Sequence, residues 1–236
     1  INYTVKMPIS NSVQLNNDYG NITLNEINGA TDINCDYGKI ILGDLNNSTN
    51  NIDLDYSSAS NISFMKSGYI NADYSKLTVD KTDNVKINSD YSNLNFGTAN
   101  VVTYNADYGS ITVDDVKDIT GNSDYVSIQL GTVSQNLNIK ADYGSIRIKE
   151  LAKGFDKAEI TGQYAGITIG TKSDNNFSFV LDLSYSSFRY NDDQVEMFKS
   201  IEKSSKKHYE GIYGKGKSSS KLISNSQYGG VNFKEQ

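Results

Sequence analysis

A tyrosine recurs along the chain at a nearly constant step, preceded by an aspartate and followed by glycine or serine and then two aliphatic residues. The full form appears at Asp18-Tyr19-Gly20, Asp36-Tyr37-Gly38, Asp55-Tyr56-Ser57, Asp73-Tyr74-Ser75, Asp90-Tyr91-Ser92, Asp107-Tyr108-Gly109, Asp124-Tyr125-Val126 and Asp142-Tyr143-Gly144. Tyr164, Tyr185 and Tyr228 continue the series without the aspartate. The steps between tyrosines are 18, 19, 18, 17, 17, 17, 18, 21, 21 and 43 residues. A fixed step of this size means one structural coil repeated and stacked on its neighbours.

Position by position, the coil reads as strand. Four residues before the tyrosine stand Leu15, Ile33, Ile52, Ile70, Ile87, Tyr104, Ile139, Ile160 and Leu181, with Gly121 and Ser224 as exceptions. Two before it stand small residues such as Cys35, Ala72, Ala106 and Ala141. This period of two places those positions and the tyrosine on one side of a strand. Three and five residues after it come pairs such as Ile40 and Leu42, Leu94 and Phe96, or Ile146 and Ile148, so the parity switches at the tyrosine. A bend is required there, and the glycine or serine that follows is the residue type that tolerates one. A third apolar set, Ile27, Leu45, Ala99, Val116, Val133 and Leu151, lies eight residues on.

The fold class is therefore all-β, a single-stranded β-helix or β-solenoid of about 11 coils of 17–21 residues. Hexapeptide coils would put an inward residue two after the tyrosine, where Lys39, Lys76 and Asn93 are polar. The preference of parallel crossovers favours a right-handed coil. Ile1 to Val5 reads as a strand. After Tyr56 the aliphatic pair moves downstream, which predicts a local bulge. One domain spans 1–236, with an irregular insertion or cap at about 191–223. Within it Val195, Phe198 and Ile201 are spaced for a short helix started by Asp192 or Asp193, and Ser204 to Ser220 reads as a polar loop.

Composition narrows the function classes. The net charge of −6 gives no basic face for nucleic acid, and no apolar run is long enough to cross a bilayer. Residues 1–188 carry 13 Lys and Arg against 22 Asp and Glu, whereas 189–236 carry 9 against 6, so an acidic body ends in a mildly basic segment. Cys35 is the only cysteine, which excludes an intramolecular disulfide, and its core-facing position reads as a buried thiol. His208 is the only histidine and falls in the polar loop, so a Ser-His-Asp or Cys-His site would have to be built there, far in sequence from Cys35, and there is no His/Cys metal cluster. The expectation is no cofactor and no metal site.

Stacking brings like residues together. The eleven tyrosines, Tyr19, Tyr37, Tyr56, Tyr74, Tyr91, Tyr108, Tyr125, Tyr143, Tyr164, Tyr185 and Tyr228, form a structural ladder; a role in binding sugar rings requires exposed ring faces. Aspartates one strand spacing apart repel by roughly 0.9 kcal/mol even in water, so something must compensate. Acceptance of a backbone N–H at the bend is the reading adopted; a calcium ion between neighbours is the alternative.

Two resemblances bear on function. Asn105-Ala106-Asp107, Asp114-Asp115 and Arg147-Ile148-Lys149 occur in the order of the Asn-x-Asp, Asp-Asp and Arg-Ile-Lys motifs of polygalacturonases, but the Gly-His-Gly element is missing. That resemblance implies a pectinase-like carbohydrate-active enzyme using Asp107, Asp114, Asp115, Arg147 and Lys149. The second covers nearly the whole chain. Val5-Lys6-Met7-Pro8, the segment from Val13 to Leu24, the Tyr-Gly coils and the closing Ser226-Gln227-Tyr228-Gly229-Gly230-Val231-Asn232-Phe233 resemble the bacterial β-strand-repeat family grouped as auto-transporter adhesins, of unknown function. It implies a non-catalytic adhesin-like module of a Gram-negative bacterium, binding an extracellular glycan or protein. The same resemblance implies export to the cell envelope, outer surface or periplasm, and a signal peptide not included in this sequence. It transfers no ligand-binding residues.

Overall fold

The computed structural model describes residues 2–236. Its strands in chain order are β1 (Val13–Asp18), β2 (Asn21–Ile27), β3 (Thr31–Asp36), β4 (Lys39–Leu45), β5 (Asn50–Asp55), β6 (Ser60–Asp73) and the long extended run β7 (Lys76–Asp142). They continue with β8 (Ser145–Leu151), β9 (Lys157–Gln163), β10 (Gly166–Thr171), β11 (Phe177–Ser184), β12 (Ser187–Arg189), β13 (Val195–Lys203), β14 (Lys206–Tyr213), β15 (Lys221–Gln227) and β16 (Gly230–Glu235). The strands stack in parallel as a β-solenoid, with β1, β3 and β5 paired on one face and β2 and β4 on the other. Like residues pair with like, as in Ile33 with Ile52 or Asp36 with Asp55. One continuous apolar column fills the interior from Ile22 to Phe233.

The inward positions are those of the repeat. Ile33 and Cys35, then Ile40 and Leu42, then Leu45 are all essentially inaccessible. At the aliphatic position the exception Gly121 makes room for the bulky residue of the coil before it: Tyr104 is buried there, and a Cβ on Gly121 would lie 2.3 Å from its ring carbons. The bulge after Tyr56 is present. Ala59 takes a left-handed φ of 56°, and Ile62 rather than Asn61 pairs with Leu42.

The tyrosines depart from the expectation. They do not share a side with the positions two and four residues earlier; all eleven point outward. The bend lies at the tyrosine itself, which has φ between 49° and 59° in every coil, a region that costs a residue with a Cβ about 1 kcal/mol or more. Two further features hold this corner. The tyrosine N–H donates to the carbonyl of the residue that precedes the tyrosine of the next coil, as from Tyr37 to Asp55 at 2.9 Å and from Tyr74 to Asp90 at 2.9 Å. The serine that follows turns inward, so Ser75 Oγ donates toward the Leu54 and Asp73 carbonyls while accepting the Ser57 N–H at 2.9 Å.

Chain order and stacking order differ at the C-terminal end. β15 lies between β9 and β11, and β16 lies between β10 and β12, so the last coil is inserted beneath the coil that precedes it in sequence. The 43-residue step is thus an excursion and a return. The excursion contains no α-helix: Asp192–Gln194 is a single 3-10 turn capped by Asn191, and the rest of the expected helix is strand β13. Much of the expected loop is strand β14. β13 and β14 form an antiparallel hairpin that pairs with the edge of β11, and Ser205 accepts the Tyr185 N–H as another coil would. The expected strand at the start is absent too; residues 2–12 form none, and Ile1 lies outside the described residues. No helix is long and apolar enough to cross a membrane.

Candidate functional site

The left-handed corner turns every ladder tyrosine out of the core, and coil stacking then places the rings over one another. The column runs in the order 19, 37, 56, 74, 91, 108, 125, 143, 164, 228, 185, with ring centroids 4.6–5.0 Å apart and planes within 10° of parallel. Interior rings are 42–53% exposed, but Tyr19 is 79% and Tyr185 63% exposed because each lacks a ring on one side. Interior faces are therefore covered by neighbouring rings, and what solvent meets is a ridge of ring edges and hydroxyls. The phenols of Tyr37, Tyr74 and Tyr108 titrate above their ordinary value, first through desolvation within the stack and then through adjacent phenols and aspartates.

Beside the ridge runs the aspartate column. Asp36, Asp55 and Asp107 are held above the usual carboxylate range, by desolvation first and by neighbouring carboxylates second. The expected hydrogen bond to the following bend is not how they are accommodated. Asp73 accepts the N–H of Asp90 in the next coil at 3.2 Å, and Asp124 lends its backbone N–H to Asp107 in the same way. None of the eight aspartates lies within ion-pair distance of a lysine or arginine among the described residues. One column further in, Asn71 donates to Asp53 at 2.9 Å, Asn88 to Asn71 at 3.0 Å and Asn105 to Asn88 at 3.4 Å. The Asn-x-Asp motif is thus built from two ladders, and Asn105 is one rung. Among the described residues no group of three or more His, Cys, Asp or Glu side chains is arranged to hold a metal ion.

The residues of the pectinase-like reading line no common cavity, although Asp107, Asp114 and Asp115 belong to one coil and Arg147 and Lys149 to the coil two further on. Asp107 stands at the tyrosine corner. Asp114 lines a shallow depression with Asp80 and Thr112, Asp115 a second with Asn100 and Lys117, and Arg147 and Lys149 a third with Gln129 and Lys234. These three depressions share no residue. Cys35 is buried, and loss of solvation pushes its thiol up.

A constellation not anticipated from sequence lies where the hairpin meets the rod. His208, in strand β14 rather than a loop, faces two carboxylates: Nδ1 lies 2.7 Å from Asp182 on β11 and Nε2 lies 2.7 Å from Glu210. Lys199 on β13 donates to the same Glu210 oxygen at 2.7 Å. The hydrogen bonds to Asp182 and Glu210 raise the His208 pKa, while Lys199 and then His208 hold Glu210 down to about 2. Tyr209, pushed up to about 12 by burial and by its 2.6 Å bond to Glu202, ties the hairpin internally. Next to this clamp opens a concave cavity of about 520 Å³, walled by Lys203, Lys206 and Lys207 and floored by β9, β15 and β11. Its only sequence signal was the switch to a basic C-terminal segment; the antiparallel return that assembles it has no counterpart in the repeat.

Comparison with known proteins leaves the function to be read from geometry: no family model, no curated protein and no solved structure matches the chain.

Proposed function

We propose that the chain is a non-catalytic, exported adhesin-like module of the bacterial cell envelope or surface, engaging an extracellular protein or glycan along the tyrosine ridge. The observation that carries this reading is the unbroken column of eleven outward tyrosines, each kept in a backbone conformation that a buried structural role does not require. Rigid tyrosine edges offer amphipathic contact area at low entropic cost, the reason such residues dominate recognition loops. Because interior ring faces are already stacked, flat sugar-ring stacking has room only at Tyr19 and Tyr185, and the ridge chemistry favours a protein. A strip of hydroxyls flanked by uncompensated carboxylates suits a partner presenting backbone groups and cationic side chains. The acid pair of a glycosidase faces one cleft with its carboxyl groups about 5–10 Å apart, and Asp107, Asp114 and Asp115 line no common depression that would support that reading.

The test is a screen of immobilised glycans and envelope or host surface proteins with the intact chain, with and without calcium, beside a triple variant Tyr74→Ser, Tyr91→Ser, Tyr108→Ser. Partner capture lost in the variant supports the proposal. Capture untouched by it, or turnover of a polysaccharide by the purified chain, refutes it.

A further inference from the structure

Followed along the rod, the column immediately before the tyrosine changes sign. Asp18 pairs with Asp36, Asp36 with Asp55, Asp55 with Asp73 and Asp73 with Asp90, and Asp142 closes the acidic run. Above it, Asp142 pairs with Gln163, Gln163 with Gln227 and Gln227 with Ser184. Ser184 then pairs with Lys206, and Lys206 with Lys203. One straight line of aligned positions therefore passes from carboxylates through uncharged amide and hydroxyl groups to two ammonium groups, and the concave cavity covers its neutral and basic part, with Asp142 at its acidic end and Asp182, bonded to His208, in its wall. Neither Lys203 nor Lys206 lies within 4.0 Å of a carboxylate among the described residues. Lys207 has only a 4.0 Å approach to Glu202.

We propose that this cavity is a binding site for an oligosaccharide that ends in a carboxylated sugar. The acid lies against Lys203 and Lys206, and neutral sugar residues extend over Ser184, Gln227 and Gln163 toward the rod. Amide side chains both donate and accept, which matches sugar hydroxyls, and they repeat at about the 4.8 Å strand spacing, close to the length of one sugar ring. The volume of about 520 Å³ accommodates two to three sugar rings. The acidic column sets the polarity and the length. A polyanion with a charge on every residue would run its second and third charges onto Asp142 and the aspartates below it, so one terminal acid fits where a polyuronate or nucleic acid does not. The site is separate from the tyrosine ridge and stands or falls independently of it.

The experiment is titration calorimetry of the full chain with sialyllactose and with a galacturonosyl-terminated neutral disaccharide, using lactose and polygalacturonate as controls. The expected result is saturable binding of at least one acid-terminated trisaccharide that is weakened by salt, with lactose at least about 10-fold weaker. The double variant Lys203→Ala, Lys206→Ala should lose about 10-fold or more, as expected when charge-assisted bonds are removed. Lys206→Arg should retain binding, and Lys86→Ala, at an exposed position several coils away, should leave it unchanged. Both lysines are on the surface, and an unaltered circular dichroism spectrum confirms that the variants fold. No binding of either acid-terminated probe, equal binding of lactose, equal binding of polygalacturonate, or indifference to the lysine pair each overturns the proposal.

Discussion

Replacing Tyr91 tests whether the column stabilises the rod against the strain of its own corners. Tyr91 stacks on Tyr74 at 4.9 Å and on Tyr108 at 4.6 Å, with planes 1° and 3° from parallel. Truncation to alanine removes both contacts, about 1–3 kcal/mol, and the covered half of the ring adds about 1 kcal/mol of apolar burial. Alanine also keeps the left-handed strain at φ 51°. Glycine loses the same ring contacts but sheds that strain, a relief of about 1–2 kcal/mol, less about 0.4–1 kcal/mol for its freer unfolded chain. Tyr91→Gly should therefore be more stable than Tyr91→Ala by about 0.5–1 kcal/mol, the reverse of the usual order in strands. Urea unfolding followed by circular dichroism measures the difference, and asparagine, which tolerates this region, should fall between the two. An alanine variant as stable as the glycine variant would refute the view that the ring stack offsets backbone strain.

Gly121→Ala places a methyl group against the Tyr104 ring and should cost about 1–3 kcal/mol. Adding Tyr104→Ile should recover most of that, and a double-mutant cycle measured by thermal unfolding reads the coupling. Asp107→Asn removes repulsion from Asp90 and Asp124 while leaving an acceptor for the Asp124 N–H, so the melting temperature should rise at neutral pH, with the gain shrinking in high salt. Because desolvation first and the neighbouring carboxylates second raise the folded pKa of Asp107, the penalty for its charge is absent below the ordinary value of 3.8 and is complete once pH has risen through the folded value, so the gain should also vanish in acid. The hairpin clamp has a window. His208, raised above its ordinary 6.5, contributes fully below that pH and loses its contribution as pH rises through its folded value; Glu210, lowered from 4.5 to about 2, contributes fully above 4.5 and fails as pH falls through about 2. The difference in melting temperature between the native chain and His208→Gln should be largest between pH 4.5 and 6.5 and should close above the folded value of His208.

The stacked solenoid could be read from the chain because each coil repeats the same inward positions, and a period of two with a parity switch admits few backbones. Ile33, Ile40 and Leu45 lie where that pattern puts them. The switch also announced a bend, but propensity assigned it to the permissive glycine or serine, and tertiary stacking overrode propensity by placing it on the tyrosine. That error reversed the direction of the ring and with it the nature of the surface. The hairpin was misread for a related reason: Val195, Phe198 and Ile201 have helical spacing, yet their strand β13 pairs with β14, which in turn covers the open backbone edge of β11. Long-range pairing of Asp182 with His208, 26 residues apart, leaves no local mark in the sequence.

The inserted C-terminal coil makes the end of the rod a keyed joint. Strands β11 and β12 precede β15 and β16 in the chain, yet they rest on those later strands, which alone connect them to β9 and β10. A chain interrupted before Lys221 lacks both strands that join this crown to β9 and β10, so a cut there removes an internal rung of the rod and not a free end.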